Sequence, residues 1–99
     1  MRLNDTEIAA IKKAADKTFG PQAEVKLFGS RVDDSAKGGD IDLLVTVPYI
    51  VDNPALSMAK METAIIMALG DRKIDVVLNS PNLKKSEIHA IAETQGVLL

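Results

Sequence analysis

The chain has no cysteine, no tryptophan, one tyrosine and two phenylalanines in its 99 residues. Without cysteine there is no disulfide framework and no thiolate metal site. With aromatics at 3%, the core must be built from Ile, Leu, Val, Ala and Met. The same scarcity leaves little with which to make a base-stacking platform for single-stranded nucleic acid. An excess of positive charge is missing too, since the formal net charge is -2. Strong direct binding of nucleic acid or of an anionic membrane needs a basic face, so neither is expected. No apolar run is long enough to cross a bilayer. No apolar signal core follows Met1-Arg2-Leu3-Asn4-Asp5. A cytoplasmic protein is the expectation. Residues 1–99 suffice for a single domain with one core.

What is present is well punctuated. Asn4 can cap a first helix with Glu7 three residues on as its box partner, and Ile8, Ile11, Ala15 and Phe19 follow at helical spacing. Gly20-Pro21 ends it. Val25-Lys26-Leu27-Phe28 reads as a short strand, residues 29–39 as a polar, glycine-rich loop, and residues 41–47 as a second strand stopped by Pro48. Asn53-Pro54 starts a second helix that runs to about Leu69 and stops at Gly70. A third strand covers residues 73–78, and a last helix residues 83–95 before Gly96. The order implies an α/β (α+β) fold with a small three-stranded sheet flanked by helices.

Asp40 and Asp42 fall on alternate positions at the start of the second strand and so point to one face, while Ile41, Leu43 and Val45 point to the other. Two aspartates side by side repel unless a cation lies between them. Such oxygen donors suit Mg²⁺ or Mn²⁺. Asp75 sits in a later apolar run, Ile74-Asp75-Val76-Val77-Leu78, where an ionised group is costly unless paired. If all three acids serve one site, the second and third strands are parallel neighbours joined by a right-handed helical crossover. For residues 29–30 to reach the same place, the first strand must be antiparallel to the second. A mixed sheet with the second strand in the middle meets both demands. The plain alternatives are an Asp-x-Asp that merely opens a strand and an Asp75 that faces solvent.

The turn Leu27-Phe28-Gly29-Ser30-Arg31 lies just upstream. Gly29 lets backbone amides approach an anion, and Ser30 adds a hydroxyl donor. Arg31 can contact a triphosphate or pair in solvent with Asp33 or Asp34. No Gly-Lys-Ser/Thr follows at Walker spacing.

Together these residues resemble the minimal nucleotidyltransferases of the DNA polymerase beta superfamily. The family's hydrophobic-Gly-Ser turn is matched by Phe28-Gly29-Ser30. Its acid-hydrophobic-acid-hydrophobic strand is matched by Asp40-Ile41-Asp42-Leu43, and its later acid by Ile74-Asp75-Val76. The resemblance covers nearly the whole chain. It implies a nucleotidyltransferase fold and Mg²⁺-dependent transfer of a nucleoside monophosphate, AMP from ATP for preference, to an acceptor hydroxyl with release of pyrophosphate. Asp40, Asp42 and Asp75 would be catalytic and bind metal. Gly29, Ser30 and Arg31 would bind the nucleotide. Small members of this family resemble antitoxins that act on a HEPN-type ribonuclease toxin by adding AMP to a tyrosine. Larger relatives carry a further domain that shapes the pocket. Here base and acceptor choice would depend on a partner or on a second copy.

The helix over residues 54–69 carries more apolar residues than one stripe needs, so one side is expected on the sheet and the other open to a partner. Val97-Leu98-Leu99 is expected to pack on the domain or on another chain. His89, between Glu87 and Glu93, is expected at the surface. Two rivals to the enzyme remain: an antitoxin that neutralises its partner by contact alone, and a nucleotide-binding regulator without turnover.

Overall fold

A computed structural model describes residues 3–29, 41–70, 73–83 and 87–99. Ser30, Arg31 and Asp40 lie outside the described residues. The first helix, α1 (Asp5–Phe19), begins as its sequence requires. The Asn4 side chain accepts from the Glu7 N–H at 2.8 Å, and the Glu7 carboxylate accepts from the Asn4 N–H at 3.0 Å. This reciprocal cap satisfies two donors that the helix cannot.

Strand β1 (Glu24–Phe28) follows, then β2 (Ile41–Thr46), α2 (Pro54–Leu69) and β3 (Ile74–Asn79). The Asn53 side chain caps α2 by accepting from the Leu56 N–H at 3.2 Å, with Pro54 in the first turn where no N–H is needed. The last helix is α3 (Glu87–Gln95), and the chain closes with β4 (Val97–Leu98). Leu83, expected to be helical, sits instead in a turn, its N–H donating to the Ser80 carbonyl at 3.1 Å.

The sheet order is β3-β2-β1-β4. As the sequence implied, β2 is central, parallel to β3 and antiparallel to β1. The strand count differs from expectation: there are four strands, not three. Val97 and Leu98 pair antiparallel with Leu27 and Lys26, and the Leu99 N–H donates to the Val25 carbonyl at 2.9 Å. Gly96 permits the switch from α3 to β4, because a Cβ there would overlap the Ala92 carbonyl oxygen. The other edge is β3, where the Val76 N–H is engaged by the Glu62 carboxylate from α2 at 3.4 Å. Occupying an edge N–H in this way reduces unwanted strand pairing.

The sheet is covered on both faces. On one, α1 and α2 enclose the main core, in which Ile11, Leu27, Ile41, Leu43, Met61 and Ile65 are fully buried. On the other, α3 brings Ala92 against Phe28 and Leu44, with Val77 beside them. His89 corrects the expectation of a surface residue. It is buried, and its Nε2 lies 2.9 Å from the Leu78 carbonyl. A carbonyl can only accept, so Nε2 carries the proton. A final clasp is Asn82, which accepts from the Val51 N–H at 3.3 Å and donates to the Val51 carbonyl at 3.1 Å, tying together the connections that follow β2 and β3. Among the described residues no helix is long and apolar enough to cross a membrane.

The methionines of α2 offer a direct check on this packing. Met61 is fully buried, whereas Met67 is 82% exposed. Met61→Ala is expected to cost about 2–5 kcal/mol in urea denaturation, and Met67→Ala to change stability by no more than about 0.5 kcal/mol.

Candidate active site

Register carries the argument at the site. Phe28 of β1 stands opposite Asp42 of β2, and Asp42 opposite Asp75 of β3. Opposed residues in a ladder share a face. Phe28, Asp42 and Asp75 therefore form one row across three strands, with neighbouring strands about 4.8 Å apart. The next row, Lys26, Leu44 and Val77, lies on the same face, and α3 meets this face through Ala92. The alternate residues Leu27, Ile41, Leu43, Ile74 and Val76 all enter the core under α1 and α2. The acids thus occupy the face away from those two helices. Asp42 is half-buried and Asp75 exposed.

The start of β2 is held by the Ile41 N–H, which donates to the Lys73 carbonyl at 2.9 Å. This bond lies one residue before the acid row and helps set its register. On the β1 side the chain leaves the strand at Gly29, whose φ is +77°. Residues with a side chain rarely adopt that conformation. Space gives a second reason for glycine, since a Cβ on Gly29 would overlap Oδ2 of Asp42. The glycine turn and the central acid are therefore in direct contact.

Of the six candidate residues, Gly29, Asp42 and Asp75 come together at one margin of the sheet; Ser30, Arg31 and Asp40 lie outside the described residues. Among the described residues no group of three or more His, Cys, Asp or Glu is arranged to hold a metal ion. Two carboxylates stand together here, and the third expected ligand is Asp40. Phe28 joins the site although the sequence marks it only as the hydrophobic residue before the glycine. It is buried and registers with Asp42, so it forms an apolar flank to the acid pair. The signal for this role is its phase, since it falls with Lys26 on the face opposite Leu27.

Comparison with protein-family models finds no match, and comparison with curated proteins finds none.

The contact between Gly29 and Asp42 can be measured by a double-mutant cycle. Gly29→Ala is expected to cost about 1–3 kcal/mol from backbone strain alone, with a further loss from displacing Asp42. In an Asp42→Ala background that further loss should vanish. Gly70, with φ +93° and nothing within 4 Å of the place a Cβ would take, serves as the reference for strain without a clash. Equal penalties for Gly29→Ala in both backgrounds would show that the carboxylate does not need the missing side chain.

Proposed function

We propose that the chain is a metal-dependent nucleotidyltransferase of the minimal type, moving AMP from ATP to a hydroxyl on a partner protein. The observation that carries this reading is the in-register pairing of Asp42 with Asp75 on one face of the sheet, with Gly29 closed against Asp42. Two oxygen donors on adjacent strands, one of them exposed, fit Mg²⁺ or Mn²⁺. Asp42 and Asp75 would hold the ion together with Asp40. When bound, the ion would neutralise triphosphate charge and activate the attacking oxygen.

The chain's own groups supply the rest. The backbone at the Gly29 turn, the Ser30 hydroxyl and the Arg31 guanidinium donate to triphosphate oxygens. The acceptor oxygen attacks the α-phosphorus of ATP. A new P–O bond forms there, and the bond from the α-phosphorus to the β-bridging oxygen breaks. Pyrophosphate leaves with that electron pair. Asp75, the more exposed of the pair, takes the hydroxyl proton. Phe28 limits the approach of water from the β1 side. By the family resemblance the acceptor is a tyrosine of a HEPN-type toxin, which makes this chain an antitoxin.

The test is transfer of label from α-³²P ATP to the co-expressed toxin. Wild type should label it in Mg²⁺. Asp42→Asn and Asp75→Asn should each lose at least about 100-fold. Neutralisation of the toxin by wild type and Asp42→Asn alike, with no label transferred, would leave a contact-only antitoxin in place of an enzyme.

A cheaper measurement needs no partner. Asp75→Asn removes one of two facing charges, so it should stabilise the metal-free chain by about 0.2–1 kcal/mol. The same substitution should abolish the rise in Tm that Mg²⁺ gives the wild type. A variant less stable than wild type without metal, and equally responsive to Mg²⁺, would count against the site.

A further inference from the structure

The two helices on the opposite side of the sheet from the acid row distribute their charge unevenly. A cavity of about 490 Å³ opens between them, with Ala14 of α1 and Ala64, Met67 and Ala68 of α2 among the residues that line it. It continues along α2 into a second of about 380 Å³ beside Leu56, and Ala64 lines both. Met61 and Ile65 already supply the buried face of α2, yet Met67 is 82% and Leu56 49% exposed. Large apolar side chains on the outer face of a helix are the usual mark of a contact surface when they line a groove.

The charges that line this groove are all of one sign. Lys13, Lys17 and Lys60 line it and are exposed, and no Asp or Glu is among the described residues that do. This is unexpected in a chain with 14 acidic and 12 basic residues. Of the acids on these helices, Asp5 and Asp16 are exposed but do not line the groove. Glu7 closes the α1 cap, Asp16 borders a different cavity beside Pro21 and Leu98, and Glu62 engages the Val76 N–H on β3.

We infer that this groove receives an amphipathic helix from a partner protein, its apolar stripe flanked by Asp and Glu. The stretch of α2 from Leu56 to Met67 covers about 16 Å, room for three turns of a helix laid alongside it. Apolar anchors would meet Met67 and Leu56, and acidic flanks would meet the three lysines. A second copy of this chain is a poor occupant, because a two-fold axis through the groove would bring the same lysines together. An anionic bilayer is also a poor occupant, because three lysines on a chain of net charge -2 do not make a broad basic face. This surface lies across the sheet from Asp42 and Asp75, so it stands whether or not the chain transfers nucleotides.

The experiment is a selection from a displayed library of helical peptides. Each has a fixed leucine stripe and flanking positions randomised among Glu, Lys and Gln. The full chain is the bait, with counter-selection on Met67→Glu, and hits are measured by fluorescence anisotropy. The expected result is enrichment of Glu-flanked peptides that shift the amide resonances of Ala14, Ala64 and Met67. Lys13→Glu combined with Lys17→Glu should weaken them at least tenfold and improve the Lys-flanked versions of the same peptides. Both substitutions are on exposed positions, and unchanged thermal melts will show that the variants are folded. Enrichment without preference for Glu would overturn the inference, as would binding indifferent to both variants or failure to enrich any peptide. So would tighter binding to phosphatidylglycerol vesicles than to any peptide, or a dimer abolished by Met67→Glu.

Discussion

The parallel pairing of β2 with β3 is the constraint on which the rest of the molecule depends. It sets Ile41 beside Ile74, Leu43 beside Val76 and Val45 beside Leu78, all buried on the face toward α1 and α2. The same register sets Asp42 beside Asp75 on the other face. These are one fact seen from two sides. A slip of a single residue would turn Asp75 into the core and expose Ile74 and Val76. Burial of three apolar pairs therefore also fixes where the two carboxylates stand.

The antiparallel hairpin of β1 with β2 refines that arrangement. Pairing of Phe28 with Asp42 ends β1 level with the central acid, and the chain turns away at the next residue. The φ of +77° favours glycine there, and a Cβ would also displace the Asp42 carboxylate. The glycine thus has two independent jobs at one position. It allows the left-handed turn, and it lets backbone approach the carboxylate as closely as an anion-binding turn must approach its ligand.

Much of this was legible in the sequence because the signals were local or periodic. Asn4 with Glu7, and Asn53 with Pro54, mark helix starts through contacts within one turn. The place of Asp42 and Asp75, each between apolar residues at a strand start, separates the faces of two strands without knowledge of their neighbours. The strand directions followed from requiring the acids to meet, and the observed mixed sheet meets that requirement for Asp42 and Asp75. What was not legible depends on partners distant in sequence. Two residues of β4 are too few to show a period, and they are a strand only because β1 offers an open edge. His89 reads as a surface residue beside Glu87 and Glu93. It is buried because α3 lies on the sheet with that position inward, where its Nε2–H donates to the Leu78 carbonyl.

The two faces of the sheet differ in what they leave open. On the α3 side Ala92 packs on Phe28 and Leu44 and His89 meets the Leu78 carbonyl, while the acid row at the strand starts is accessible through Asp75. On the other side α1 and α2 enclose the main core, and their own outer groove, apolar with a lysine rim, is open. With a single core of this size, any surface offered to a partner must be the back of an element that already packs on that core. On α2, Met61 and Ile65 are fully buried, and Leu56 and Met67 are surplus to that packing. Because the groove and the acid row are separated by the thickness of the sheet, a partner seated in the groove would leave Asp42 and Asp75 uncovered. Recognition in the proposed groove and the proposed transfer at Asp42 and Asp75 would then not compete for one face of the sheet.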